Sequence, residues 1–140
     1  MTLAEKLDAY LQESFNRHYL VGHWDCIIFV AMWADLISGQ SHTETLRDTY
    51  TSEESGREKW VPSSTNDAIV WALQREGWQK IKPGEPFEVG DIILTNLHHP
   101  GIWDGEKIVA QPANATGLLY IQAGHSCGGL RRPEYIRLKV

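Results

Sequence analysis

Cysteine and histidine can act together as nucleophile and base, and their positions in this chain narrow the choices. Within GHWDCIIFVAMWADLISG (residues 22–39), Cys26 stands at the head of a run that is almost wholly apolar until Asp35. Asp25 is a good N-cap and Gly39 a good stop, so the pattern predicts a helix whose first turn carries the thiol. Unpaired backbone N–H groups and the helix dipole favour a thiolate there, and the thiolate is the nucleophile. The Asp25 carboxylate opposes part of that effect. An imidazolium lowers a thiol pKa further than a helix end does, so the chemistry needs a histidine within reach of Cys26.

Six histidines are available. His18 and His23 lie on the approach to Cys26, His42 in a polar segment and His125 in a glycine-rich turn. His98 and His99 instead open HPGIW, a strand-like run, and a strand is a rigid platform for a catalytic side chain. Cys26 and Cys127 could form a single disulfide, which a chain this apolar does not need. No Cys-x-x-Cys is present, and His125-x-Cys127, with or without His98, matches no common zinc spacing. No metal and no cofactor are expected.

The elements that must position these residues follow from periodicity. Leu3, Leu7, Tyr10, Leu11 and Phe15 recur at helical spacing over 3–15. The helix carrying Cys26 is apolar on every side and is therefore a buried one. Residues 40–62 turn polar, with Tyr50 and Trp60 as anchors, and residues 65–76 read as a third helix ending at Gly77. After KPGEPFEVG the period changes, and DIILT, HPGIW, KIVAQ, GLLYI and YIRLK read as short strands broken by turn residues. Helices followed by strands imply an α+β fold in which the buried Cys helix packs on an antiparallel sheet, with residues 1–140 as one domain. The tryptophans are mostly core anchors, Trp103 packing below the sheet.

Composition excludes several classes. A formal charge of −5 with one close basic pair, Arg131-Arg132, argues against nucleic-acid binding. The apolar stretch 26–34 falls short of the roughly 20 residues that span a bilayer, so no membrane insertion is expected. The N-terminus lacks the apolar core of a signal peptide, which implies synthesis in the cytoplasm.

Trp24-Asp25-Cys26 at a helix start, GDIIL (90–94) and HPGIWDGEKIVAQ (99–111) together resemble the NlpC-type cell-wall endopeptidases, a branch of the papain-like cysteine peptidases. The resemblance implies Cys26 as nucleophile, His99 as base with His98 as its competitor, and Gln111 as the third polar residue. It implies a papain-like fold and cleavage of amide bonds in peptidoglycan stem peptides. Trp24, Tyr19 and His23, on the approach, are the substrate-contact candidates. Where the family usually has Ser and Gly after the cysteine, this chain has Ile27 and Ile28, which takes a small polar group from the cleft, and the glycine-rich approach is reduced to Gly22. The chain is closer still to compact relatives among phage tail genes, which share the aromatic-Asp-Cys start and an Arg-x-x-Tyr segment matching Arg47 and Tyr50. That implies phage tail proteins as partners and incorporation in a virion tail. The departures also admit a second possibility, a tail-tip structural component that keeps the fold with little or no turnover.

Hairpin geometry adds an expectation of its own. Directly opposed residues in an antiparallel pair share a face. A two-residue Asp104-Gly105 turn sets His99 opposite Ala110, whereas a three-residue turn sets it opposite Gln111. Pairing His99 with Gln111 therefore predicts an odd connection or a bulge that restores the same parity.

Overall fold

The computed structural model describes residues 1–39, 43, 74, 77–80, 85–95, 100–112, 115–122 and 135–139. Helix α1 spans Leu3–Phe15 and is opened by a capping box. The Thr2 hydroxyl accepts from the Glu5 N–H at 3.2 Å while the Glu5 carboxylate accepts from the Thr2 N–H at 3.2 Å. Helix α2 spans Cys26–Ser38, with Asp25 as N-cap and Gly39 closing it in the left-handed region at φ 73°. Both helices thus have the bounds their apolar spacing and capping residues predict.

Strands β1 (Gln79–Lys80), β2 (Ile92–Thr95), β3 (Gly101–Trp103), β4 (Ile108–Ala110), β5 (Leu119–Ile121) and β6 (Tyr135–Lys139) form one antiparallel sheet in the order β1-β6-β2-β3-β4-β5. The protein is therefore α+β, with helices first and sheet after. The exposed two-residue β1 had no counterpart among the strand-like runs. The helix expected over 65–76 lies outside the described residues except for Gln74, which is helical.

Alternation along the strands turns Ile92, Leu94, Ile102 and Val109 to one side, where they join Phe29, Val30 and Trp33 of α2 and Leu7 and Tyr10 of α1 in the core. Full burial of each such side chain contributes on the order of 1.5–3 kcal/mol. Two buried donors are satisfied across elements. Tyr10 Oη donates to the Phe29 carbonyl at 2.7 Å, and Trp33 Nε1 donates to the Gly90 carbonyl at 2.9 Å. Trp103 points to the opposite side of the sheet, half-buried, its ring 4.6 Å from that of Phe87.

The entry to β2 combines a turn and a bulge. The Asp91 N–H donates to the Glu88 carbonyl, closing a four-residue turn with Gly90 at its third position and φ 92°. Gly90 N–H then donates to the Trp103 carbonyl while Trp103 N–H donates to the Asp91 carbonyl, so two residues of one strand oppose one of the next. The Asp91 carboxylate accepts from the Glu88 N–H at 2.8 Å and tightens the same turn. Gly101 is required for a different reason. A Cβ there would sit 2.5 Å from Ile108 Cγ2 and 2.7 Å from the Val109 carbonyl oxygen, so β3 and β4 approach more closely than any other residue type allows.

Candidate functional site

The site is built around the start of α2. The Asp25 carboxylate, itself buried, accepts from three backbone N–H groups: Ile27 at 3.0 Å, Ile28 at 2.9 Å and Gly22 at 2.8 Å. Two of these belong to the helix's first turn and the third to the loop before it, so one side chain fixes both. The loop closes on itself through paired Leu20 and Trp24 backbone bonds of 2.9 and 2.8 Å, with Gly22 at φ 81° in the turn. Cys26 follows as the first residue of α2, a half-buried thiol. Ile28 is fully buried, while Ile27, half-buried, packs at the core's edge.

Gln111, one residue beyond β4, is fully buried on the α2 side of the sheet. Its amide has a single self-consistent orientation, because an indole N–H can only donate and a backbone carbonyl can only accept. Trp24 Nε1 donates to Gln111 Oε1 at 3.0 Å; Gln111 Nε2 donates to the Pro112 carbonyl at 3.1 Å and the Ala115 carbonyl at 2.9 Å. Both amide hydrogens and one oxygen lone pair are engaged, and one lone pair of Oε1 remains. Next along the chain, Thr116 Oγ1 lies 3.4 Å from His18 Nδ1, so the segment after β4 lies against the approach to Cys26 at two points.

Trp24 is not the cleft-lining residue its position suggested. It is 2 % exposed, with Phe29 edge-on at 6.0 Å and the Arg17 guanidinium 4.4 Å above its ring. Arg17 also reaches Met32 on α2, Nη1 to Sδ 3.7 Å. Tyr19 is half-buried and His23 exposed on the approach loop, so both remain accessible beside Cys26 in the chain. His98, His99 and Cys127 lie outside the described residues. Asp35, the one charged residue within α2, does not simply face solvent: Oδ2 accepts from both the N–H and the hydroxyl of Thr43, while Oδ1 is buried with no partner.

The ladder corrects the expected register. Gly101 faces Ala110, Ile102 faces Val109 and Trp103 faces Ile108, joined by a four-residue connection, Asp104 to Lys107. Asp104 Oδ1 accepts from the N–H groups of Glu106 and Lys107 at 2.8 and 2.7 Å, which places the turn one residue later than an Asp104-Gly105 centre. The connection is even, and extending the same register sets Pro100, not His99, opposite Gln111.

Arg17 and the Trp24 to Gln111 bond were missed by reasoning from sequence. A buried tryptophan needs an acceptor for its N–H, and that was the available signal, but the acceptor lies 87 residues away and no local pattern identifies it. Among the described residues no cluster of three or more His, Cys, Asp or Glu side chains could hold a metal, and no helix is long and apolar enough to cross a membrane.

Comparison with protein families matches residues 2–126 to one family, described as a domain of unknown function, DUF6950. Neither the curated proteins nor the solved structures contain a match.

Proposed function

We propose that this chain, which belongs to the DUF6950 family, is a papain-like cysteine hydrolase of the NlpC type that cleaves peptide amide bonds, with cell-wall stem peptides as the substrate class. The observation that carries this reading is the Trp24 to Gln111 hydrogen bond. It ties a buried amide on the sheet to the residue two before Cys26, so the residues in the nucleophile and third polar positions belong to one neighbourhood. In the reaction, the Cys26 thiolate attacks the amide carbonyl, and the Cys26 N–H at the helix start donates to the oxyanion. His99 protonates the departing amine, leaving a thioester. It then takes a proton from water as that water attacks, releasing the acid and restoring the thiolate. The remaining lone pair of Gln111 Oε1 accepts the second imidazole N–H and fixes the ring's tautomer and tilt. Association with a phage tail follows from the same sequence resemblance.

A second reading, a tail-tip component with no turnover, draws on the even hairpin connection and on the three structural bonds Gln111 already makes. Alkylation of Cys26 by iodoacetamide across pH separates the two. The hydrolase modifies Cys26 well below the ordinary thiol pKa of about 8.5 and releases new amino groups from purified muropeptides, and Cys26→Ala does neither. A thiol that reacts only at alkaline pH, with muropeptides left intact, refutes the hydrolase.

A further inference from the structure

We infer that Trp24 is a positioning residue for the Cys26 reaction: its indole N–H locks the helix start that carries the nucleophile to the amide that orients the base. This rests on the hydrolase reading above and assigns a function to a side chain that otherwise only fills the core.

Three features separate Trp24 from an ordinary buried tryptophan. Its partner is a side-chain oxygen and not a backbone carbonyl, whereas Trp33 uses the carbonyl of Gly90 and Trp78, equally buried, has no acceptor at all. The accepting oxygen is the one atom of Gln111 that still has a lone pair, because Nε2 is spent on the carbonyls of Pro112 and Ala115. The indole and the two carbonyls together fix where that lone pair points, and the indole is the one of the three that touches the lone pair's own atom. Finally, the ring is held in its own plane from outside, by Phe29 edge-on at 6.0 Å and by Arg17 at 4.4 Å, and Arg17 is tethered to Met32 on the helix that Cys26 begins. The chain of contacts runs from α2 through Arg17 and Trp24 to Gln111 and returns to α2 through the peptide bonds of residues 24–26.

The test is the pH profile of Cys26 alkylation in the full chain, read by mass spectrometry, for wild type, Trp24→Phe and Trp78→Phe. Loss of the indole N–H leaves Gln111 Oε1 without its fixed donor, and the imidazole is then held less firmly in the orientation that supports the thiolate. Trp24→Phe raises the apparent pKa of Cys26 by about one unit, slowing alkylation about ten-fold at pH values below it. Trp78→Phe, which removes an indole N–H that bonds nothing, leaves the profile in place. Should Trp24→Phe fail to fold, replacing Trp24 with 3-benzothienylalanine keeps the ring's shape and removes only the N–H, with the same shift expected. A wild-type profile that is depressed but superimposes on that of the N–H-less variant overturns the positioning role alone. A wild-type thiol with no depression overturns the hydrolase reading and this inference with it.

Discussion

Replacing Asp25 with alanine strips three backbone N–H groups of their acceptor at once, and the cost can be built up from the geometry. An N-cap truncation costs about 0.5–2 kcal/mol. Here the acceptor is a carboxylate and two of the three donors, on Gly22 and Ile28, belong to buried residues, each N–H left unsatisfied costing about 1–3 kcal/mol. Ile27, half-buried, can turn to water. The two buried donors together set the cost at about 2–6 kcal/mol, a range that already contains the N-cap figure. At an unfolding entropy of about 2.1 cal/mol/K per residue, the melting temperature of the chain falls by about 7–20 °C. Asp25→Asn is the sharper variant. Its oxygen still serves Ile27 and Ile28, but its NH2 faces the Gly22 N–H, donor against donor, so about half the loss is expected. It also removes the negative charge next to Cys26. Calorimetry and alkylation on the same sample must therefore move in opposite directions: lower stability and a more acidic, faster-reacting thiol. An Asp25→Asn protein that melts with wild type refutes the clamp. One that melts lower but alkylates no faster refutes the electrostatic opposition between residues 25 and 26.

Two further outcomes follow from the fold. Gly101→Ala drives a methyl against Ile108 and against a carbonyl oxygen that the ladder holds in place, so urea denaturation should show a loss of about 1–3 kcal/mol, and unchanged stability would mean that β3 and β4 are not so close. Thr2→Ala removes the hydroxyl half of the capping box of α1 and lowers the melting temperature by a few degrees. Hydrogen bonds from the Thr2 backbone N–H, which alanine keeps, and then from its hydroxyl, which alanine lacks, hold the Glu5 carboxyl below its ordinary range, so the hydroxyl's share is present above the unfolded carboxylate pKa and fades as pH falls through the folded one. The gap between wild type and Thr2→Ala in a melting series should accordingly be constant above about pH 5 and narrow below it.

Both described helices could be read from the sequence because their signals are local. Residues such as Asp25 and Gly39 act on backbone within a turn of themselves, and the apolar spacing of Leu7 and Tyr10 needs no partner to be recognised. The strand-like runs were legible for the same reason, as short apolar stretches between turn residues. What escaped depends on distant chain. β1 exists because β6 lies beside it, and its exposed Gln79 and Lys80 carry no strand signal. The hairpin register turned on whether the Asp104 side chain would capture the N–H groups of Glu106 and Lys107, a choice among turn geometries that one sequence does not rank. At the candidate site, Cys26 stands at the helix start its sequence context predicted. Gln111 faces the helix through Trp24, a bond between residues whose proximity only the folded sheet creates.

Ile92, Ile93 and Leu94 are all wholly enclosed, so both sides of β2 are greasy and a slip by one position would exchange one buried isoleucine for another. Hydrophobicity gives this strand no preferred phase. The doubled-up pair Gly90-Asp91 does the counting instead: it absorbs one residue opposite Trp103 and starts the strand on a fixed beat. Since β2 is the seam between β6 and β3, deleting Gly90 or Asp91 would put half the sheet out of step with the other half without removing an apolar side chain.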